Sequence, residues 1–225
     1  MKLKLIVPFV LLMISGVSFG QISLGGQAGA VFSKPSTTTY TLIQGFDVEL
    51  KNRIGFSAGL LADIPFGESG FRLMPELSFV NKGLITDANV TFLGQQLQVN
   101  AKANISYIEI PLNAAYAFSL GNNKLLVGAG PYAGIGVGGK TVIRSTANGT
   151  TEEEEEKVKF GSEPDQTKRM DFGANFMAGF ILNNGLMFKV NYSLGLTNLS
   201  NEPDTEYKNR YFGVSVAYFF LKSGE

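Results

Sequence analysis

Seven ionisable side chains define what chemistry this chain could do: Asp63, Arg72, Glu76, Lys82, Glu109, Asp171 and Lys189. Each falls in the polar phase of a stretch where apolar and polar residues alternate, so all seven are expected on one face of a sheet. They number four acids and three bases. Three readings compete. The set forms an internal salt-bridge network, because buried charges persist when paired or hydrogen-bonded; or it lines a gated polar pathway or small-solute site; or Glu109 works as a catalytic carboxylate with Glu76 or Asp171. The first is preferred, since near charge balance is what a self-satisfying network requires.

Other signals weigh against enzymatic chemistry. The chain has no His and no Cys. Triads and dyads that activate a hydroxyl nucleophile through imidazole have no base here, and thiolate metal sites and disulfides are excluded. Gly128-Ala129-Gly130-Pro131-Tyr132-Ala133 loosely matches a dinucleotide fingerprint. That fingerprint must open a helix after a strand, whereas strand alternation here runs straight through it. Glu152 to Glu156 are five consecutive acids in a long connection. They read as a solvated, mobile loop; divalent-cation binding needs oxygens at fixed spacing with a turn between them. No catalytic residue, cofactor or metal is assigned, and the chain is read as a non-enzyme.

The elements that position these residues are strands. Residues 1–20 are set apart as a secretory signal peptide: Lys2 and Lys4, an apolar core from Leu5 to Ile14, then Ser18 and Gly20 as the small residues before a cleavage ahead of Gln21. Residues 21–225 form one all-β domain. Period-two alternation predicts eight strands, at Ile22–Phe32, Arg53–Asp63, Gly70–Gly83, Asn104–Ser119, Lys124–Gly138, Arg169–Leu182, Leu186–Thr197 and Asn209–Leu221. Tight turns at Phe66–Ser69, Gly121-Asn122 and Asn183-Asn184-Gly185 alternate with long polar connections at about 34–52, 84–103, 139–168 and 198–208. Such alternation, with an even strand number, is the layout of an up-and-down transmembrane β-barrel with both termini on the short-turn, periplasmic side.

Volume decides which face points inward. Phe188, Val190, Tyr192, Leu194 and Leu196 lie on one face of the seventh strand, and Lys189, Asn191, Ser193 and Gly195 on the other. An eight-stranded interior is just wide enough for side chains to fill, so the small and polar set is expected inside and the Phe-rich set against lipid. A three-residue loop at 183–185 places Gly179 opposite Lys189, a long side chain against an empty position. Lys and Arg total 19, as do Asp and Glu; without the two signal lysines the balance is slightly acidic, and nothing suggests nucleic acid as a partner.

Several segments together resemble a known family, the outer-membrane β-barrel (porin-family, PorT-like) proteins of Bacteroidota. They are Met74-Pro75-Glu76-Leu77-Ser78-Phe79-Val80-Asn81-Lys82-Gly83, Tyr107-Ile108-Glu109-Ile110-Pro111-Leu112, Gly128-Ala129-Gly130-Pro131-Tyr132, Asp171-Phe172-Gly173 and the closing Tyr-Phe strand. The resemblance implies an eight-stranded barrel in the outer membrane and no single activity; its PorT-like branch is associated with protein secretion and gliding. It implies that Glu76, Glu109 and Asp171 organise the lumen and carries over no catalytic residue. The expected function is a non-enzymatic outer-membrane barrel with a mostly plugged polar lumen. It would serve a structural or adaptor role through long extracellular loops, with outer-membrane lipid and envelope or secretion-complex proteins as partners. The alternatives are a narrow pore for small solutes, a secretion-associated barrel, and a soluble lipocalin-like binder.

Overall fold

A computed structural model describes residues 22–37, 47–67, 69–92, 95–147 and 149–222. The signal peptide expected at 1–20 lies outside them. Eight antiparallel strands follow one another around a closed ring: β1 (Ser23–Ser33), β2 (Arg53–Pro65), β3 (Phe71–Phe92), β4 (Gln95–Leu120), β5 (Asn123–Ala147), β6 (Met170–Ile181), β7 (Leu186–Gly195) and β8 (Arg210–Lys222). Each pairs with its sequence neighbours, and β8 returns to β1 through pairs such as Phe32↔Phe212 and Ser33↔Tyr211. Closure leaves no open edge within the ring. At the short-turn end, Gly121 (φ 61°) and Gly185 (φ 90°) take the left-handed conformation that tight hairpins need.

Alternation fixes which side chains enter the ring. Ile54, Phe56, Leu60, Leu77, Phe172, Phe188 and Val216 face outward, with Ile54 67 % exposed. Exposed apolar surface on this scale is not stable against water. The arrangement is the reverse of a lipocalin-like binder, whose apolar face would line the interior.

Two expectations about the long connections are corrected. The 84–103 segment is not a loop: β3 and β4 continue through it as one hairpin, paired from Leu84↔Ala103 out to Phe92↔Gln95. The acidic run is not a loop either. Thr150–Lys157 is a strand on β5, with Arg144↔Glu153 and Ile143↔Glu154 in register. A further short strand, Asp47–Lys51, pairs with β3 at Asn89 to Ile85. Beyond the apolar band both faces of a sheet meet polar surroundings, so the alternation that marks a strand fades while β-branched residues such as Ile85, Thr86, Val99 and Val142 still favour it. Gly83, read as a strand end, is a close-approach position: a Cβ there would lie 2.0 Å from the Ala103 carbonyl oxygen.

A candidate functional site in the barrel lumen

The inward side chains stack in layers along the barrel axis. At the short-turn end, Arg72 Nε lies 2.5 Å from Asp63 Oδ1. They sit beside a polar cup of about 200 Å³ that also touches Ser23, Asn122 and Asn183. Next comes an apolar layer of Leu61, Met74, Leu126, Met177, Met187 and Phe219, closed by Ala115 and Ala217. The inner face was expected to be polar or small throughout, and this layer corrects that. Three unbranched Met side chains fill irregular space that branched residues would leave open. Met187 also takes the space beside Gly179, where its Cε lies 2.2 Å from an added Cβ. Lys189, expected to fill that gap, turns toward Glu76 instead.

Above this layer lies an amide-rich one. Lys189 Nζ donates to Glu76 Oε2 at 2.7 Å, and Gln27 Nε2 donates to the same oxygen at 2.7 Å and to Ser78 Oγ at 3.0 Å. Asn175 Nδ2 donates to Asn113 Oδ1 at 2.9 Å, and Ser193 Oγ donates to Asn175 Oδ1 at 2.8 Å. The free space here is a cavity of about 20 Å³, room for about one water molecule.

The third layer centres on Lys82, 1 % exposed. Its ammonium donates to Glu109 Oε1 at 2.6 Å and to Asp171 Oδ2 at 2.9 Å. It also stands 4.3 Å from the centroid of the Tyr107 ring, 5.5 Å from that of Tyr211 and 5.7 Å from that of Tyr132, within reach of cation–π attraction. Tyr211 donates its hydroxyl to Glu109 Oε2, and Asn209 Nδ2 donates to Asp171 Oδ2, both at 2.8 Å. Two acids and one base leave one excess negative charge, spread over these donors. The Tyr132 ring lies over its cross-strand neighbour Gly173, where an added Cβ would be 2.5 Å from Cε1, and its hydroxyl reaches Gly195. Glycine at 173 is what lets an aromatic ring lie there.

The long-connection end is covered by the chain itself. The Phe160 ring sits on Gly136, 2.3 Å from the position of an added Cβ, and packs against the Arg169 guanidinium at 5.4 Å. Leu199 is fully buried. Above them a vestibule of about 260 Å³ opens between Ile105, Val158, Thr167 and Tyr207.

All seven charged residues singled out from the sequence point into the ring, in three separate groups: Asp63–Arg72, Glu76–Lys189 and Lys82–Glu109–Asp171. Glu109 and Asp171 are brought together on the one Lys82 ammonium, and Glu76 is held apart from them by Lys189. Among the described residues no cluster of His, Cys, Asp and Glu has the makings of a metal site. Sequence reasoning missed Arg53, 6 % exposed, which donates through Nε to Asn104 Oδ1 at 2.6 Å and also holds Asn81. Its position shares the inward phase of Asp63, at the first residue of the second predicted strand, yet its guanidinium reaches the side chains of Asn104 and Asn81, which lie in the outward phase beside buried Ile105 and Lys82. Gln27, Asn113 and the three tyrosines share the inward phase too, and a reading led by charge does not single them out.

Residues 13–201 match the family described as outer membrane protein beta-barrel domain. The chain belongs to this family. No curated protein matches it. Among solved structures it is similar to Neisserial surface protein A (13 % identity, TM-score 0.37, 88 % of this chain and 99 % of that one). It is also similar to OprG from Pseudomonas aeruginosa (10 %, 0.41, 89 % and 96 %) and to Ail of Yersinia pestis, solved with the heparin analogue sucrose octasulfate (12 %, 0.36, 88 % and 99 %). Likeness at this level carries no functional argument. Family membership and the closed ring place the protein in the outer membrane, so its exposed apolar face meets lipid. At the short-turn end Phe71, Tyr116 and Phe118 stack edge to face at 5.1 and 4.9 Å, supplying interfacial aromatics in a chain without Trp.

Proposed function

We propose that this protein is a non-conducting outer-membrane barrel whose lumen is plugged by its own side chains and whose work is done by the structure it raises above the membrane. One observation carries the reading. The apolar Met layer and the Lys82 layer cross the bore in succession, and the space between them is about 20 Å³. An ion would have to displace both a dry layer and a paired one. The rigid ring then serves as a mount for the paired extensions of β3, β4 and β5. Those extensions are available to envelope or secretion-complex proteins, as the resemblance to PorT-like proteins of Bacteroidota suggests. Export through the signal peptide at 1–20 and periplasmic termini belong to the same reading; the even strand number supports the latter, and a terminal tag protected from protease in intact cells checks it.

Planar-bilayer recording of the purified protein tests the plug. The expected trace is silent. Replacing Met74, Met177 and Met187 together by Gly, with the gel mobility shift on boiling retained, should add brief openings. Stepwise currents from the wild type that change with Lys189→Gln or Glu109→Gln would establish the narrow-pore alternative instead.

A further inference from the structure

The outward face of the barrel changes chemistry in a fixed order along the strands. On β4 the outward residues are Leu112, Ile110 and Ile108, then Ser106 and Asn104, then Lys102, then Asn100 and Gln98. On β5 exposed Ile135 and Val137 give way to Lys140, then Val142, Arg144 and Thr146. Neighbouring strands keep step. Lys157 is the direct cross-strand partner of Lys140, and Lys102, on the other side of β5, lies diagonal to Lys140 on the same face. Like charges placed opposite one another repel. Lys140 Nζ is answered by Glu155 at 2.8 Å, while exposed Lys102 and Lys157 make no ion pair with the described residues. Beyond the lysines the twist of the extended sheet hollows out a groove of about 740 Å³, lined by Asp87, Asn89, Gln98, Asn100, Arg144 and Thr146. That volume falls within the range of small-molecule sites. Its walls are amides, hydroxyls and charges of both signs, suited to many neutral hydroxyl groups and poorly suited to an apolar ligand.

We propose that this outward face binds a phosphorylated glycolipid of the surrounding outer leaflet, its phosphate held by Lys102 and Lys157 and its saccharide seated in the Asn89–Gln98 groove. The order of the surface is the order of such a lipid from tail to head: acyl chains against the apolar band, phosphate at the lysines, sugars against amides. The site is continuous with the lipid-facing wall, so a lipid already lying against the barrel reaches it without leaving the membrane. Lysine near a membrane surface attracts anionic headgroups, each contributing roughly a fivefold gain in binding. The inference rests on the proposed orientation, with the termini periplasmic and the long-connection end outward, and stands whether or not the lumen conducts.

Native mass spectrometry of the full mature chain, refolded in detergent, tests it with three probes: rough lipopolysaccharide carrying core sugars, lipid A without them, and phosphatidylglycerol. The wild type should prefer core-bearing lipid over lipid A by about fivefold or more, and both over phosphatidylglycerol. Lys102→Gln with Lys157→Gln should weaken both glycolipids by about 30-fold. Asn89→Ala with Gln98→Ala should abolish the preference for core sugars and leave lipid A binding as it was. Both variants must keep the mobility shift of a folded barrel; these are exposed positions away from the lumen. Equal binding of core-bearing lipid, lipid A and phosphatidylglycerol by the wild type overturns the proposal. So does a lysine variant that binds as tightly, or a groove variant that keeps its preference.

Discussion

Lys82→Met tests the physics of the lumen most directly. Lys82 is 1 % exposed and its two carboxylate partners are fully buried, at 2.6 and 2.9 Å from the ammonium. Deleting the cation strands two acids, with only the Tyr211 hydroxyl and the Asn209 amide left to donate to them. Removing one partner of a buried ion pair costs about 3–5 kcal/mol. At roughly 2–4 °C per kcal/mol for a chain of this size, the melting temperature should fall by about 6–20 °C. Asp171→Asn is the control. Asp171 Oδ2 accepts from both Lys82 and Asn209, whereas Oδ1 has no hydrogen-bond partner. An amide therefore keeps the working oxygen, removes the excess negative charge and places a donor near the Tyr132 hydroxyl, which is itself unpartnered. Its cost should stay within about 1 kcal/mol. The measurement is thermal unfolding in phosphatidylcholine vesicles, read by loss of strand circular dichroism and by gel mobility, since the chain has no Trp to report fluorescence. If Lys82→Met melts no lower than Asp171→Asn, the layer is hydrated and screened, and the argument for a sealed lumen fails.

Three further outcomes are expected. Gly136→Val should unseat Phe160 from the long-connection mouth and raise protease cleavage within 158–168; adding Phe160→Ala should recover part of the melting temperature lost, because the three atoms nearest an added Cβ all belong to that ring. Asp87, on the extension beyond the apolar band, is held below the ordinary carboxylate range by its hydrogen bond from Lys51 and then by that from Asn100. A depressed folded pKa contributes stability above the unfolded value that is lost as pH falls through the folded one. Pairing of Asp47–Lys51 with β3 should therefore loosen only in acid, and Lys51→Met should move the Asp87 carboxyl signal in an NMR titration up toward its usual place, with the hydrogen bond from Asn100 still holding it down. Lys51 is itself raised by Asp87, so its share of that pairing persists through neutral pH and disappears only when alkali exceeds its raised value. Arg144→Ala, which removes an exposed 2.6 Å contact to Glu153, should change stability by less than about 1 kcal/mol and still less in high salt.

How much of this was legible in advance differs from one feature to another. Strand number, turn positions and the inward phase of Asp63, Arg72, Glu76, Lys82, Glu109, Asp171 and Lys189 follow from period two alone, because a closed ring lets each strand show only two faces and lipid demands that one be apolar. Extensions such as Leu84–Phe92 and Thr150–Lys157 were hidden, because a sheet with two polar faces carries no alternation to read.

Pairing was decided only by the tertiary structure. Strand sequence says which residues face inward but not how far each strand is sheared against the next, and that stagger sets the height at which side chains meet. It brings Lys189 to Glu76, 113 positions apart. It places Lys82 between Glu109 and Asp171, and it gathers three methionines from three strands into one apolar layer. It also lays Tyr132 across Gly173, so that a position read as merely small becomes one where any side chain would collide. Local periodicity determines the face of each residue; the register of eight strands around one axis determines its neighbours, and the chemistry of this lumen is a matter of neighbours.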